Sequence, residues 1–243
     1  MGKRIISQRR GRGTSRYKTP DHRYVAKASH LGLHEGSIKG EIIDLVHCPA
    51  HSSPLMKVAY DNNKTVYSIA PAGVRVGDKI ESGSKEMEKG NTLYLKDVEE
   101  GTFIYNIEAQ PGDGGRFVRS TGGAARVVAK YENKIFVVMP SKRKKTFYPL
   151  CRASIGVVAG AGRKEKPFVK AGNKHHKMKA RNKLYPRTEG VKMNAVDHPY
   201  GNSRSSNKGH PTIARRHAPP GAKVGKIRPR RTGKKVGRSS KRV

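Results

Sequence analysis

Three places in the sequence bring together residue types that could support catalysis or metal binding. The first is Asp197-His198, because a carboxylate beside an imidazole is the pairing that general-base catalysis uses. Adjacent residues rarely reach the hydrogen-bond geometry that such catalysis requires, and no Ser or Cys nucleophile can be assigned to this pair. Pro199 follows directly, so the favoured interpretation is a turn fixed by Asp and Pro.

The second place is the H-C-x-x-H pattern of His47, Cys48 and His51, a spacing that zinc sites can use. A second pair of ligands with suitable spacing is missing, since Cys151 is the only other cysteine. Two cysteines are also too few for a disulfide framework. We therefore predict a polar turn at this position rather than a metal site.

The third place is His175-His176, which lies between Lys174 and Lys177. The two lysines disfavour protonation of the imidazoles. The neighbours are also not carboxylates, which a catalytic histidine would need for its orientation. Contact with backbone or with RNA is the favoured interpretation of this pair.

The charge distribution indicates which parts of the chain position these residues. The 243 residues carry a formal net charge of +34, from 52 Lys and Arg against 18 Asp and Glu. Residues 35–132 hold 14 of the acidic and 12 of the basic residues, which leaves 4 acidic and 40 basic residues for the two ends. A nearly neutral body with two strongly cationic ends predicts a polyanionic partner.

Nucleic acid is favoured over a membrane as that polyanion. No apolar run approaches the roughly 20 residues that span a bilayer, and the opening MGKRIISQRRGRG lacks the apolar region of a secretory signal. Gly and Pro interrupt the basic stretches and so exclude the long basic helices that suit a membrane surface. The loop PGDGGRFVRSTGGAAR places glycines beside arginines, which allows a close approach to phosphate.

The neutral body has the pattern of short strands separated by turns. Five segments rich in Val, Ile, Thr and Tyr lie between residues 39 and 98, with a hairpin turn at Asp61-Asn62-Asn63, and predict an OB-like barrel. Five more lie between residues 102 and 160, with a tight turn at Glu132-Asn133, and predict a second small barrel. The expected fold class is therefore mostly β, with long, basic, irregular N- and C-terminal extensions that become ordered on their partner. The predicted domains are residues 1–34 (basic arm), 35–98 (first barrel), 99–161 (second barrel) and 162–243 (basic extension).

The residues expected to contact RNA are basic residues of the two ends and of the glycine-rich loop, together with His175. Lys and Arg neutralise phosphates, and Arg adds bidentate contacts. Tyr and Phe side chains interleaved with them, such as Tyr200, are expected to stack on bases. The predicted contact residues are Arg4, Arg9, Arg10, Arg12, Arg116, Arg119, Arg126, Arg163, Lys174, His175, Lys177, Lys179, Arg181, Arg204, Arg215, Arg216, Arg228, Arg230 and Arg231.

Several motifs together resemble one known family. The family is the second universal protein of the large ribosomal subunit, in its archaeal and eukaryotic form. The matching motifs are GRGTSRYKTPDHR (11–23), PGDGGRFVRSTGGAAR (111–126), LCRASIGVVAGAGR (150–163), GVKMNAVDHPYG (190–201) and GHPTIARRHAPPGAKVGKIRPRRTG (209–233). Two positions depart from the bacterial pattern: Ala195 replaces a usual Pro, and Tyr200-Gly201-Asn202-Ser203 replaces a run of glycines. An archaeal source is therefore favoured.

The resemblance implies an OB-like barrel followed by an SH3-like barrel, with arms that thread into rRNA. It implies a structural, primary rRNA-binding protein near the peptidyl transferase region that supports subunit association and tRNA binding in translation, and not an enzyme. Its partners would be large-subunit rRNA, other ribosomal proteins and the small subunit, in the cytoplasmic ribosome, with no membrane and no small-molecule substrate. No cofactor is expected, and Mg²⁺ would enter only through bound rRNA. His198 matches the family's histidine and is carried over as an RNA-proximal residue.

Two other functions remain open at this point. One is an enzyme, a hydrolase or transferase that uses Asp197-His198. The other is a protein that compacts DNA through its basic ends.

Overall fold

The computed structural model describes residues 2–202 and 212–229 of the chain. This part is mostly β, as the sequence predicts. Its two α-helices are α1 (Ile6–Gly11) and α2 (Ala171–Ala180). Its strands are β1 (Ile38–Val46), β2 (Leu55–Tyr60), β3 (Thr65–Ile69), β4 (Lys79–Ser82), β5 (Thr92–Tyr94), β6 (Phe103–Tyr105), β7 (Ala125–Tyr131), β8 (Lys134–Val138), β9 (Lys144–Phe147), β10 (Arg152–Ile155), β11 (Ile213–Ala214) and β12 (Lys226–Ile227).

The chain divides into two compact units, which are described separately. The larger comprises residues 19–181, and the smaller brings together the two ends, residues 1–18 and 182–243. Neither helix of the described residues has the length and apolar character that would be needed to cross a membrane.

The ten strands of the larger unit agree with the sequence pattern, since each predicted segment contains or overlaps one strand. The predicted turns are also present. Asn63 adopts a φ of 58° between β2 and β3, a left-handed conformation that Asn accepts more readily than most residues. Residues 132 and 133 form the tight turn between β7 and β8.

Strand pairing joins these ten strands into one sheet, in the order β3-β2-β1-β4-β5-β10-β6-β7-β8-β9. The two predicted sets of five are not separate sheets, because β10 pairs antiparallel with both β5 and β6. Among the described residues, no pairing joins the outer strands β3 and β9 or closes either half into a ring. The mostly-β prediction is confirmed. The two barrels stay a prediction, because the strand pairing of the described residues does not show a closed barrel.

Apolar clusters fill the two halves of this unit. Ile42 and Val58 lie at the centre of the first cluster, and Val127 and Val137 at the centre of the second. β5 contributes Leu93 to the second cluster, although it comes last in the first set of strands. Full burial of side chains of this size contributes roughly 1.5–3 kcal/mol each, so the two clusters give the unit a rigid body.

One buried ion pair ties the loops of this unit to the sheet. Glu108 and Arg152 are almost inaccessible to solvent, and Arg152 Nη2 lies 2.9 Å from Glu108 Oε1. The Glu108 carboxylate also accepts hydrogen bonds from the backbone N–H groups of Gly112 and Gly114. The Arg152 guanidinium donates to the backbone carbonyl of Leu31 at 2.8 Å. The pair therefore fixes β10, the glycine-rich loop and the segment before β1 to one another.

Arg152 affects the pKa of two neighbouring groups, the Glu108 carboxyl and the His30 imidazole. Burial raises the pKa of the Glu108 carboxyl, but the hydrogen bonds and charge of Arg152 outweigh burial and hold that pKa below its usual value. His30 lies beside the pair, with its Nε2 2.6 Å from the backbone oxygen of Asn106. Burial and the positive charge of Arg152 lower the pKa of His30 to about 4. His30 is therefore neutral at pH 7 and adds no further positive charge beside the ion pair.

The two ends of the chain fold onto each other in the smaller unit, although the sequence pattern suggests two separate arms. Ile5, Tyr200 and Val224 form a small buried cluster. The backbone N–H of Lys3 donates to the carbonyl of Val196 at 2.7 Å. Ile5 and Ile6 form a single apolar pair in a basic stretch, so the burial of Ile5 could not be read from hydrophobic periodicity.

Helix α2 is a second feature that the sequence analysis did not anticipate, because the basic stretch after Gly162 was expected to lack long helices. The helix runs for ten residues and contains no buried residue. Its sequence AGNKHHKMKA includes Lys, Met and Ala, which favour helix. Local preference therefore contributes to α2, whereas core packing does not, because none of its residues is buried.

The buried ion pair gives the first prediction. Arg152→Met leaves the Glu108 carboxylate buried without its partner, which should lower the free energy of unfolding by about 3–5 kcal/mol in a urea titration. The matched control is Lys39→Met, which removes an exposed ion pair with Glu81 and should cost less than about 1 kcal/mol. Equal effects of the two variants would contradict the role assigned to Arg152.

His30 gives a prediction on pH. Its pKa is about 4 in the folded chain and about 6.5 in the unfolded chain. Between these values the unfolded chain binds a proton that the folded chain does not, so stability is full above pH 6.5 and is lost as the pH falls towards 4, by up to about 3 kcal/mol. His30→Gln should flatten the unfolding free energy over this window, and His22→Gln, which changes an exposed histidine, should not. A dependence on pH unaltered by His30→Gln would be evidence against the buried neutral histidine.

Candidate nucleic-acid interface

The glycine-rich loop of the larger unit exposes one predicted arginine and holds another. Gly115 has a φ of 95°, and its Cα lies so close to the Asn106 side chain that a Cβ would collide with it. Arg116 is exposed, with its Nε 3.8 Å from Asp113 Oδ2. Arg119 is half-buried and donates to the backbone carbonyls of Gly115 and Ala28, at 2.9 and 2.6 Å. Arg119 thus shapes the loop, whereas Arg116 presents its charge to solvent.

A second basic region lies where the sheet ends and α2 begins. The Arg163 guanidinium donates to Thr121 Oγ1 at 3.1 and 3.3 Å. Lys177 Nζ lies 4.7 Å from the ring centroid of Phe168. Thr19 Oγ1 donates to the Arg181 carbonyl at 3.0 Å, which anchors the residue that follows the helix.

Three cations of this region act on one another through their charges. Burial and the neighbouring charges of Arg163 and Arg181 lower the pKa of Lys177. Burial and the charge of Arg163 also lower the pKa of Arg181. We call Arg163, Lys177 and Arg181 the cation cluster. Its mutual repulsion would be relieved by a phosphate group.

The rest of α2 adds further positive charge. Lys179 and His175 are exposed, and Lys174 is partly exposed. The rings of His175 and His176 meet edge to face, with centroids 5.6 Å apart. This places the histidine pair on a solvent-facing helix, as expected for a contact with a partner rather than a catalytic centre.

Arg126 lies on the exposed side of the second half of the sheet. It stands opposite Phe103 in the pairing of β6 with β7, and both side chains are exposed. An aromatic ring beside a guanidinium suits an unstacked base. The sequence analysis did not select Phe103, although a Phe at a solvent-facing position of a strand is the signal that would have found it.

The smaller unit presents arginines from both ends of the chain. Arg4, Arg9 and Arg12 are exposed in and around α1, while Arg10 is partly buried and donates to the Asn182 carbonyl at 2.8 Å. The exposed arginines near β11 and β12 are Arg215, Arg216 and Arg228. Three predicted residues, Arg204, Arg230 and Arg231, lie outside the described residues. Tyr200 is buried, so its ring is not available for stacking on a base.

The histidine of the Asp197-His198 pair is held by its neighbours, not by the adjacent carboxylate. His198 Nδ1 accepts the backbone N–H of Tyr200 at 3.0 Å, which puts the proton of the neutral ring on Nε2. Partial burial lowers the pKa of His198. Gly190 packs so tightly against the ring that a Cβ there would overlap it. Asp197 lies in a turn, as predicted.

The H-C-x-x-H group also forms a turn, in which the His51 N–H donates to the Cys48 carbonyl at 3.1 Å. His51 Nδ1 lies 3.0 Å from the buried Cys48 Sγ. Burial and the charges of Arg119 and Arg181 lower the pKa of His51. Within the part of the chain that the structure describes, no group of three or more His, Cys, Asp or Glu side chains could hold a metal ion.

Known proteins are similar in sequence to this chain over nearly its whole length. The family model for Ribosomal Proteins L2, C-terminal domain, matches residues 88–221. The large ribosomal subunit protein uL2 of Natronomonas pharaonis is 50% identical over 236 residues, which cover 96% of this chain and 97% of the relative. The corresponding protein of Methanococcoides burtonii is 49% identical over 237 residues (97% and 100%), and that of Archaeoglobus fulgidus 48% over 234 residues (96% and 99%).

The chain belongs to the uL2 family of large-ribosomal-subunit proteins. It is of the archaeal type, which confirms the resemblance drawn from its motifs. Within this uL2 chain, the structure places Arg163, from the turn before α2, within electrostatic reach of Lys177 and Arg181 at the end of α2. Thr121, which orients Arg163, was not identified from the sequence, because a single hydroxyl carries no pattern.

The cation cluster of this uL2 chain gives a prediction on RNA binding. Arg163→Gln should weaken binding to large-subunit rRNA. It should also make the log–log dependence of affinity on salt less steep, by about 0.7–0.9 for each phosphate that the variant no longer neutralises. The control Lys64→Gln removes one positive charge from the hairpin between β2 and β3, where the side chain is exposed. Filter binding across a salt series measures both slopes. A slope shared by Arg163→Gln and the wild type would exclude a phosphate contact by Arg163.

Proposed function

We propose that this chain is a structural constituent of the large ribosomal subunit and binds large-subunit rRNA as a primary binder near the peptidyl transferase region. There it supports subunit association and the binding of tRNA during translation. The observation that carries the proposal is the full-length similarity, at 48–50% identity, to archaeal proteins that are named as large-subunit proteins. The location that follows is the cytoplasmic ribosome.

The distribution of charged groups supports RNA as the direct ligand. Arg163 and Arg10 are oriented by neutral acceptors, the Thr121 hydroxyl and the Asn182 carbonyl, and most arginines near the chain ends are exposed. A neutral acceptor fixes a guanidinium without cancelling its charge. These arginines therefore keep the positive potential that attracts phosphate.

The finer fold assignment belongs to the same proposal. We assign residues 35–98, with β1 to β5, to an OB-like barrel and residues 99–161, with β6 to β10, to an SH3-like barrel. Two apolar clusters that each lie mainly in one half support this assignment, while a third cluster, with Leu55, Ile69, Tyr105 and Val158, joins the halves. In this arrangement the sheet is the platform, and the basic ends thread into the rRNA. The N-terminal arm (1–34) and the C-terminal extension (162–243) bear most of the contact residues, and the glycine-rich loop bears Arg116, Arg119 and Arg126.

The partners follow from the same role. They are large-subunit rRNA, other ribosomal proteins and the small subunit across the interface. The chain needs no cofactor of its own, and Mg²⁺ takes part through the bound rRNA. Family membership identifies a structural protein and not an enzyme. His198 supports this, because its Nδ1 is engaged by a backbone N–H and no carboxylate of the described residues orients it.

Co-sedimentation tests the proposal. In lysates run on high-magnesium sucrose gradients, the chain should appear in the large-subunit and 70S fractions and stay there after DNase treatment. RNase treatment should release it. Recovery with chromatin would favour a DNA-compacting protein instead, and catalytic activity in RNA-free protein, lost in His198→Ala, would favour an enzyme.

A further inference from the structure

Asp197 is an unusual residue for its surroundings. It is the last Asp or Glu of the chain, and the stretch around it is strongly basic. Its backbone N–H donates to the Asn194 carbonyl at 3.0 Å. Its carboxylate, in contrast, forms no ion pair or hydrogen bond with any residue that the structure describes. A half-buried carboxylate with no partner among the described residues can accept hydrogen bonds from a bound ligand.

Asp197 lines a cavity of about 360 Å³ within the smaller unit. Ile6 and Met193 are its apolar lining residues, Arg9 and Lys192 bring positive charge, and Thr188, Asn194 and His198 are its other polar lining residues. The volume falls in the range of roughly 300–1,000 Å³ that is typical of small-ligand sites. Two apolar side chains among polar groups suit a flat heteroaromatic ring that carries hydrogen-bonding edges.

The shape of this cavity depends on the fixed position of His198. Its Nδ1 accepts the Tyr200 N–H, and its ring meets the Tyr200 ring at 5.2 Å between centroids. Gly190 closes the other side of the ring, where a Cβ has no room. The imidazole is therefore a rigid wall whose Nε2 carries the proton.

The chemistry of the lining distinguishes among RNA groups. Arg9 and Lys192 attract the phosphates that flank a nucleotide. The Asp197 carboxylate repels phosphate and only accepts hydrogen bonds, so it must face a base edge or a hydroxyl. The Watson–Crick edge of guanine offers adjacent N1–H and N2–H donors that match the two carboxylate oxygens. Adenine, cytosine and uracil each place an acceptor beside their donor, which one carboxylate oxygen would meet unfavourably.

We propose that this cavity binds one unpaired guanine base of the RNA, whose N1–H and N2–H groups donate to the Asp197 carboxylate. Arg9 and Lys192 hold the adjoining phosphates. This inference rests on the proposed function, because the guanine belongs to the rRNA that the chain binds. It makes Asp197 a specificity-determining residue in a surface that otherwise recognises charge.

The test uses large subunits that contain the wild-type chain, Asp197→Asn or the matched control Glu189→Gln. Glu189 is exposed in the same unit, outside the cavity lining, so both variants remove one negative charge. A dicarbonyl reagent that modifies guanine N1 and N2 reports the accessibility of each unpaired guanine. One guanine protected in the wild type and in Glu189→Gln should become roughly tenfold or more reactive in Asp197→Asn, since a good bidentate contact discriminates by about that factor.

A second measurement covers the case in which the variant does not enter subunits. The isolated full chain is titrated with an rRNA fragment that contains the protected guanine, and with the same fragment carrying inosine, which lacks the N2 amino group. Wild-type affinity should fall roughly tenfold with inosine, and Asp197→Asn should bind both fragments equally. Gly190→Ala, which displaces the His198 ring, should also reduce the preference for guanine.

Failure of the guanine site and failure of the proposed function give different results. If rRNA binding persists but no guanine responds to Asp197→Asn, or inosine binds wild type as well as guanine does, the guanine site is wrong and the proposed function stands. A response at adenine or cytosine instead would also overturn it. Failure of the wild-type chain to bind rRNA at all would overturn the proposed function itself.

Discussion

The structure is governed by an excess of positive charge that the protein does not neutralise. The residues outside 35–132 carry 40 Lys and Arg against 4 Asp and Glu. At an effective dielectric constant near 20, two like charges about 4 Å apart repel by about 4 kcal/mol. The lowered pKa values of Lys177 and Arg181, caused by burial and by neighbouring arginines, are the local expression of that repulsion.

The way in which the arginines are held follows from this constraint. Arg10, Arg119 and Arg163 are oriented by carbonyl or hydroxyl oxygens rather than by carboxylates. The protein thus orders its guanidinium groups and leaves their charge for the partner. Arg152 differs from these arginines, because it is buried in the core and its charge is balanced there by the Glu108 carboxylate. One residue type therefore builds both the rigid body and the surface that meets RNA.

Sequence reasoning could recover the strands, because alternation and turn residues are local signals. The turns at Asn63 and Glu132-Asn133 are where Asn and hairpin spacing predict them. The role of β10 in joining both halves could not be predicted, since strand order depends on long-range pairing. The same applies to the burial of Ile5 against Tyr200, because a basic stretch contains no apolar pattern that would indicate it.

The candidate nucleic-acid interface was also only partly predictable from the sequence. Composition predicts that basic residues meet a polyanion, and family motifs predict which polyanion. Composition does not separate Arg119, which donates to two carbonyls of its own chain, from Arg116, which is exposed. It also gives no sign that Arg163 depends on Thr121, or that Asp197 faces a cavity. These distinctions depend on contacts between residues far apart in the sequence.

The central claim is that the basic ends, the glycine-rich loop and α2 meet rRNA while the neutral body carries them. Ultraviolet crosslinking of intact large subunits, with mass-spectrometric mapping of the crosslinked peptides, tests it most directly. We expect crosslinks in residues 2–18, 111–126, 163–181 and 182–229, and few in residues 38–98. Crosslinks concentrated in residues 38–98, with none in the basic regions, would contradict the account.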